Sequence, residues 1–221
     1  RSLTIAQNKA NRLNEEITVP EIRLIGEDGE QVGVVSVRTA LQMAEEAGIH
    51  IPILCHHPAL PPEGACRICL VEIERQRSLQ PSCTFPATEG LVVHTRSAKV
   101  VEARKFVLEM LLSDHPFDCM TCDATGNCLL QDLVYEYGVR TEPYPGLHHN
   151  FPVDLSNPFI AVDRNKCILC RRCVRACEEI QGQFVYAIEG RGDRARLAWG
   201  SEEFRDSACV ACGACVTTCP A

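Results

Sequence analysis

The sequence predicts an α+β fold divided into three small domains, and three features of its 221 residues carry this prediction. The 15 cysteines fall into four groups along the chain. The N-terminal part changes from strand patterns to helix patterns, and the C-terminal part repeats one cysteine motif. We therefore expect a flexible segment at 1–20, followed by domains at 21–96, 97–150 and 151–221.

Composition limits the classes of function. An odd number of cysteines argues against a closed disulfide framework, and C-x-x-C pairs without an apolar leader at the start of the sequence are typical of metal sites in a reducing compartment. The net charge of −7 argues against nucleic-acid binding. No apolar run approaches the roughly 18 residues that span a bilayer. We expect a cytoplasmic protein with no membrane span and no nucleic-acid partner.

Residues 21–38 predict a β-hairpin. The segment "EIRLI" alternates apolar and polar residues, "GEDGEQ" has turn chemistry, and "VGVVSV" is rich in β-branched residues. Helical spacing follows at Leu41, Ala44 and Ala47, and Gly48 is placed to end that helix. Strand, strand, helix is the opening of a β-grasp domain, to which "CLVEIE" and "LVVHT" add further strands.

The first cysteine group follows this opening with the spacing C-x10-C-x2-C-x13-C. Four thiolates complete a metal site, so we interpret the neighbouring His56 and His57 as supporting or surface residues. Structural zinc is an alternative for this group. The group, named the Cys55 set, is Cys55, Cys66, Cys69 and Cys83.

The middle domain is predicted to be helical. Ser97 is a candidate N-cap for a helix that leads to His115. A shorter helix is predicted between Leu129 and Gly138, and "EPYPGLHHNFPVDLSNPF" is predicted to be a linker. The first helix carries an apolar stripe, predicted to pack in the core, at Val100, Ala103, Val107 and Met110.

The cysteine group between Cys119 and Cys128 has only three members. His115 precedes it with three residues between, and counting this histidine gives four sites of four ligands. A histidine at a helix end is often a dipole partner or a surface residue, but its place beside three thiolates favours a ligand. The alternatives are an iron with an open position, or a ligand from His94, His148 or His149. The His115 set is therefore His115, Cys119, Cys122 and Cys128.

The C-terminal domain contains the motif C-x-x-C-x-x-C-x-x-x-C twice. This spacing is typical of two-cluster bacterial ferredoxins, in which the fourth cysteine of one motif binds the other cluster. Zinc sites use two separated C-x-x-C pairs, which disfavours zinc here. Pro220 after Cys219 matches the ferredoxin motif, whereas Glu178 after Cys177 departs from it. With this crossover, the Cys167 set is Cys167, Cys170, Cys173 and Cys219, and the Cys209 set is Cys209, Cys212, Cys215 and Cys177.

Residues 49–221 resemble the iron-sulfur segment of complex I-like NADH dehydrogenases, NAD-linked or iron-only hydrogenases and NAD-linked formate dehydrogenases. The segments "CHHPALPPEGACRICLVEIE", "KCILCRRCVRACEEIQGQFVYAIEGRG" and "CVACGACVTTCPA" carry the resemblance. The last two are most similar to the N-terminal part of the formate dehydrogenase large subunit. The resemblance implies one [2Fe-2S] cluster on the Cys55 set and three [4Fe-4S] clusters on the other sets.

The same resemblance implies an electron-transfer module. It would pass single electrons between an NAD(H)-oxidising flavin/iron-sulfur subunit and a catalytic subunit or domain. The catalytic partner that the resemblance favours is a molybdenum or tungsten formate dehydrogenase. The alternative is the diaphorase or electron-transfer subunit of an NAD-linked hydrogenase or a complex I-like NADH dehydrogenase. The sequence has no glycine-rich dinucleotide motif, evident pterin site or spare cysteine nucleophile, so we expect no catalytic site within it.

Residues 11–48 resemble a different family, the N-terminal domain of bacterial translation initiation factor three. The resemblance is carried by "NRLNEEITVPEIRLIGEDGEQVGVVSVRTALQMAEEAG". A ribosome-binding protein is therefore a distant alternative. Four complete ligand sets favour the electron-transfer function, and the hairpin and helix of this segment can open the β-grasp domain.

Overall fold

The computed structural model describes residues 48–88, 91–140, 144 and 148–221 in full, and the segments 21–25 and 31–36 by their backbone. In the N-terminal segments, β1 (Glu21–Ile25) pairs antiparallel with β2 (Gln31–Ser36), with Ile22 opposite Val35. The predicted hairpin is confirmed. The predicted helix of Leu41 and Ala44 lies outside the described residues.

The chain after residue 48 contains a three-stranded antiparallel sheet with the order β4-β3-β5. Its strands are β3 (Leu70–Ile73), β4 (Gln80–Pro81) and β5 (Val93–His94). Val71 and Ile73 of β3 are buried, as expected for a strand with one face in the core. The β1–β2 hairpin is a separate sheet, and the β-grasp arrangement stays a prediction.

Helix α1 (Ala98–Leu112) begins at the predicted N-cap, where Ser97 Oγ accepts a hydrogen bond from the Val100 amide at 3.4 Å. The predicted apolar stripe is wrong at Met110, which is 48% exposed. The prediction assumed that buried residues are spaced alternately by three and four residues, but in the structure they are spaced by four. The buried face is Val100, Arg104, Leu108 and Leu112.

Arg104 is fully buried because backbone and side-chain acceptors meet its guanidinium. Its Nε and Nη2 donate to the Leu70 carbonyl at 3.1 and 2.7 Å, and Nη1 donates to Tyr137 Oη at 2.9 Å. Leu70 lies in β3, and Tyr137 is the C-cap of α2 (Leu129–Glu136). The arginine therefore fastens the sheet and both helices to one another.

Two hydrophobic cores organise the described residues. The first contains Leu54 and Ile68 from the Cys55 region together with Leu108 of α1 and Leu133 of α2. The predicted first and second domains thus contribute to a common core. The second core lies in the C-terminal part, where Phe204 stacks on Tyr186 at 5.6 Å and meets the Trp199 ring edge-on at 5.5 Å.

The C-terminal part contains two short helices and a hairpin. Helix α3 (Arg172–Arg175) continues as a π-helical turn over Ala176–Ile180, and helix α4 (Ala214–Thr218) lies against both. Strands β6 (Ala187–Glu189) and β7 (Arg196–Ala198) pair antiparallel between the two cysteine motifs. Among the described residues, no helix has the length and apolar character to cross a membrane.

Candidate metal centres

The structure brings the four cysteines of the Cys55 set together. The Cys55 amide lies 3.4 Å from Cys66 Sγ, and the Cys66 amide lies 3.4 Å from Cys55 Sγ. The Sγ atoms of Cys69 and Cys83 are also 3.4 Å apart. Two thiol pairs, separated by up to 28 residues in the sequence, therefore form one group.

Hydrogen bonds favour the thiolate form of one cysteine in each pair, Cys55 and Cys69. The bond from the Cys66 thiol lowers the pKa of Cys55 to about 5, and the bond from Cys83 lowers the pKa of Cys69 to about 6. The pKa of Cys83 is raised, first by its bond to Cys69 and by burial, and also by the charges of Cys55 and Cys66. These mutual effects show that all four sulfurs share one electrostatic environment, as ligands of one centre would.

The loop that carries Cys66 depends on left-handed backbone at Gly64, whose φ is +68°. A Cβ at this glycine would lie 3.1 Å from Thr84 Cγ2, next to Cys83. Glycine therefore permits both the turn and the close approach of the two ligand loops.

The His115 set borders one cavity, together with Leu112 at the end of α1 and Val134 of α2. Cys119 opens a 3-10 turn, and Cys128 is the N-cap of α2, with its Sγ 3.4 Å from the Gln131 amide. A helix N-terminus favours a thiolate, whereas burial raises the pKa of Cys128.

His115 has the features of a neutral ligand. Its Nδ1 is buried without a hydrogen-bond partner, and burial, followed by the charge of Lys166, lowers the pKa of the ring. Two alternative histidines have partners elsewhere: His94 lies 3.5 Å from Glu74, and His149 lies 2.7 Å from Asp114. Neither of these two borders the cavity of the His115 set.

The two repeated motifs lie next to each other, and the exchange of their fourth cysteines stays a prediction. One cavity is bordered by the Cys209 set, including Cys177. A second cavity is bordered by the Cys167 set, including Cys219, and also by ligands of the other two sets, His115, Cys122, Cys128 and Cys215. Burial raises the pKa of Cys170 to about 12, with the charges of Cys219 and Cys167 adding to the effect of burial. Cys219 therefore lies in the electrostatic environment of the first motif.

The chemistry of the donor sets fits iron-sulfur clusters, which cysteine thiolates hold, with histidine in some centres. Within the described part of the chain, no group of three or more His, Cys, Asp or Glu side chains is arranged to hold one metal ion. The three sets of the middle and C-terminal parts instead border cavities. Cubane clusters are held by thiolates that surround a space large enough for several iron and sulfide ions.

Sequence reasoning missed several polar residues next to the ligands. Tyr186 Oη lies 3.5 Å from Cys215 Sγ, and Lys166 pairs with Asp118 beside the His115 set. Arg172 and Arg175 are buried between the Cys55 loop and the first repeated motif. The sequence did contain one indication of a special role for these arginines. They lie inside the repeated motif, and the second copy of the motif has Ala214 and Thr217 at the same positions.

Three known families match parts of the chain. The family described as NADH-ubiquinone oxidoreductase-G iron-sulfur binding region matches residues 104–143, and the one described as 4Fe-4S dicluster domain matches residues 166–221. The one described as Translation initiation factor IF-3, N-terminal domain, matches residues 13–77. The last match extends beyond the resemblance seen at 11–48 and includes Cys55, Cys66 and Cys69.

Curated relatives match most of the chain. NADP-reducing hydrogenase subunit HndD of Solidesulfovibrio fructosivorans is 41% identical over 87% of this chain and 34% of its own length. An NADH-quinone oxidoreductase subunit of Rhizobium meliloti (strain 1021) is 41% identical over 87% of this chain and 23% of its own length. The chain thus spans about a third or a quarter of the length of these relatives.

A solved structure is similar over a larger share of its own chain. A chain in the crystal structure of NAD+-reducing [NiFe]-hydrogenase in the H2-reduced state superposes with a TM-score of 0.71 at 36% identity. The match covers 83% of this chain and 78% of the hydrogenase chain.

Proposed function

The chain belongs to the family of iron-sulfur proteins that includes this hydrogenase chain and the related component of NADH-quinone oxidoreductase, and on this premise we propose that it carries single electrons between protein partners. The observation that supports the proposal is the clustering of 15 cysteines and His115, which lie in close pairs or along shared cavities. Iron-sulfur clusters transfer single electrons, and the chain supplies their ligands, their burial and their hydrogen bonds.

The proposed cofactors are one [2Fe-2S] cluster on the Cys55 set and one [4Fe-4S] cluster on each of the other three sets. The crossover of Cys177 and Cys219 is supported by the cavities that these residues border. Ligation by His115 is supported by its unpartnered, buried Nδ1 and by the lowered pKa of its ring. Bound clusters supply the redox chemistry, and the chain orients and insulates them.

The relatives support the alternative choice of partner over the main one. A molybdenum or tungsten formate dehydrogenase gains no support, because the relatives described above come from hydrogenases and an NADH-quinone oxidoreductase. We therefore propose a cytoplasmic module that exchanges electrons with an NAD(H)-oxidising flavin/iron-sulfur subunit and with a hydrogenase or quinone-reducing partner. Ribosome binding is not proposed, because residues 13–77, which match the translation factor domain, include three ligands of the Cys55 set.

The test is cluster analysis of the protein reconstituted with iron and sulfide under anaerobic conditions. Broad visible absorption that dithionite bleaches is expected, with paramagnetic resonance (EPR) signals from one [2Fe-2S] and three [4Fe-4S] clusters. Stoichiometric zinc without bleaching would contradict the proposal and favour structural metal sites.

The His115 ligand is tested by comparing His115→Ala with His94→Ala, a matched change at an exposed histidine that pairs with Glu74. His115→Ala is expected to remove or alter only the cluster of the His115 set, because one of its ligands is lost. Unchanged iron content and an unchanged EPR spectrum in His115→Ala would show that another ligand completes the site.

A further inference from the structure

Two arginines of α3 are buried where the C-terminal part meets the Cys55 loop. Arg172 is 3% exposed and Arg175 is 8% exposed. Arg175 donates from Nη2 to the Cys55 carbonyl at 2.6 Å, and its Nε lies 3.0 Å from Glu63 Oε2. Glu63 also pairs with Arg171 at the N-cap of the helix. Arg175 therefore has a carboxylate that offsets its charge.

Arg172 connects the backbones of two ligand loops. Its Nη1 donates to the Thr218 carbonyl at 3.1 Å, and its Nη2 donates to the His56 carbonyl. Thr218 directly precedes Cys219, and His56 directly follows Cys55. One guanidinium thus fixes the segment beside a ligand of the Cys167 set to the segment beside a ligand of the Cys55 set.

The charge of Arg172 lacks the partner that its neighbours have. Within the described residues, the ion pairs of this helix end on Arg171 and Arg175, and Arg172 Nε is buried without a hydrogen-bond acceptor.

A buried cation without a counter-charge is costly, and a guanidinium does not escape the cost by losing its proton. The two carbonyls that accept hydrogen bonds from Arg172 adjoin Cys219 and Cys55, which are ligands of two different sets, so the anionic centres proposed there are its counter-charge. Adding one electron to either centre adds one negative charge, which a fixed cation stabilises.

We propose that Arg172 is a positioning residue shared by two centres: it holds the Cys55 loop against the Cys219 segment and raises the reduction potential of both clusters. This inference rests on the proposed function, because it requires clusters in the Cys55 and Cys167 sets. It distinguishes these sets from the Cys209 set, whose motif has Ala214 at the corresponding position.

The experiment is an EPR-monitored redox titration of the reconstituted full chain, with dithionite as electron donor, for wild type, Arg172→Gln, Arg172→Lys and Arg171→Gln. In Arg172→Gln, the equilibrium constants for one-electron reduction of the Cys55 and Cys167 clusters are expected to fall at least tenfold, about 59 mV for each couple. The potentials of the His115 and Cys209 clusters are expected to stay unchanged.

Two variants separate charge from shape. Arg171→Gln removes the same charge one residue away, from a side chain that is 49% exposed and pairs with Glu63, and it is expected to leave all four potentials within about twofold of wild type in equilibrium constant. Arg172→Lys keeps the charge but loses the guanidinium, which donates to two carbonyls at once. This variant is therefore expected to retain the potentials of the Cys55 and Cys167 clusters and to lower the melting temperature.

Each outcome decides the inference. Filled clusters with unshifted potentials in Arg172→Gln would overturn it. Arg172→Gln could instead lose the signals of the Cys55 and Cys167 clusters. In that case, the inference is supported if Arg172→Lys retains both clusters at wild-type potentials. The inference is overturned if Arg172→Lys loses both clusters as well. Absence of cluster signals in wild type would instead refute the proposed function.

Discussion

The two halves of the cysteine repeat have the same backbone conformation and differ in the side chains that surround it. Leu169 and Arg171 have φ values of 53° and 64°, and Ala211 and Gly213, at the same places in the second half, have 53° and 80°. The Leu169 amide lies 3.4 Å from Cys167 Sγ, and the Ala211 amide lies 3.3 Å from Cys209 Sγ. Each half therefore forms the same loop, with an amide directed at its first sulfur.

The surroundings diverge directly after this loop. The first half continues with the buried Arg172 and Arg175, and the second with Ala214 and Thr217. The second half has a neutral donor instead, because Tyr186 Oη lies 3.5 Å from Cys215 Sγ. The comparison teaches that the cysteine motif determines how a cluster is held, while residues between and beyond the cysteines determine its charge environment.

The largest expected effect is loss of a whole cluster. If the fourth cysteines are exchanged between the halves, Cys177→Ala removes the cluster of the Cys209 set, and Cys219→Ala removes the cluster of the Cys167 set. The two variants are controls for each other, and iron content with EPR spectra of the reduced protein identifies the missing signal. Loss of the Cys167 cluster in Cys177→Ala would mean that each motif binds its own cluster.

A second prediction tests the shared backbone. Gly213→Ala introduces a side chain at φ 80° with nothing within 4 Å of its Cβ, so the cost is backbone strain of about 1–2 kcal/mol. We expect the melting temperature to fall by about 2–4 °C for each kcal/mol. Arg171→Ala is the matched control, because that position already carries a Cβ at φ 64°. Equal falls in the two variants would contradict the strain argument.

A third and smaller effect tests the difference in donors. Tyr186→Phe removes the hydroxyl donor to Cys215, and one hydrogen bond contributes about 0.5–1.5 kcal/mol net. The equilibrium constant for reducing the Cys209 cluster is expected to fall about twofold to thirteenfold, measured by redox titration. Tyr135→Phe, at a ring that is 64% exposed on α2, is the control. If Tyr186→Phe shifts the potential of the Cys167 cluster more than that of the Cys209 cluster, Tyr186 does not act as the donor to the Cys209 cluster.

Local pattern predicted much of the fold. The Ser97 cap, the helix that ends near Gly138 and the hairpin of β1 and β2 are all present, because capping, glycine and turn chemistry act within a few residues. Cysteine spacing predicted the two like loops of the C-terminal part for the same reason, because a motif repeated in sequence forms a repeated loop. The assignment of ligands to the four sets stays a prediction.

Long-range contacts of polar residues were not predictable. Arg104 was missed because its burial depends on the Leu70 carbonyl and Tyr137 Oη, which lie about 33 residues or more away in sequence. Arg172 reaches acceptors 46 and 116 residues away. Periodicity treats such arginines as surface residues, since nothing local indicates that acceptors will surround them.

The account is tested most directly by the potentials of the two repeat clusters, measured in Cys177→Ala and Cys219→Ala by EPR-monitored redox titration. Cys177→Ala is expected to retain the Cys167 cluster beside Arg172, and Cys219→Ala the Cys209 cluster beside Tyr186. We predict that the cluster retained in Cys177→Ala has the higher potential, because a fixed buried charge shifts a potential more than one neutral hydrogen bond does. Equal potentials, or the reverse order, would contradict the account.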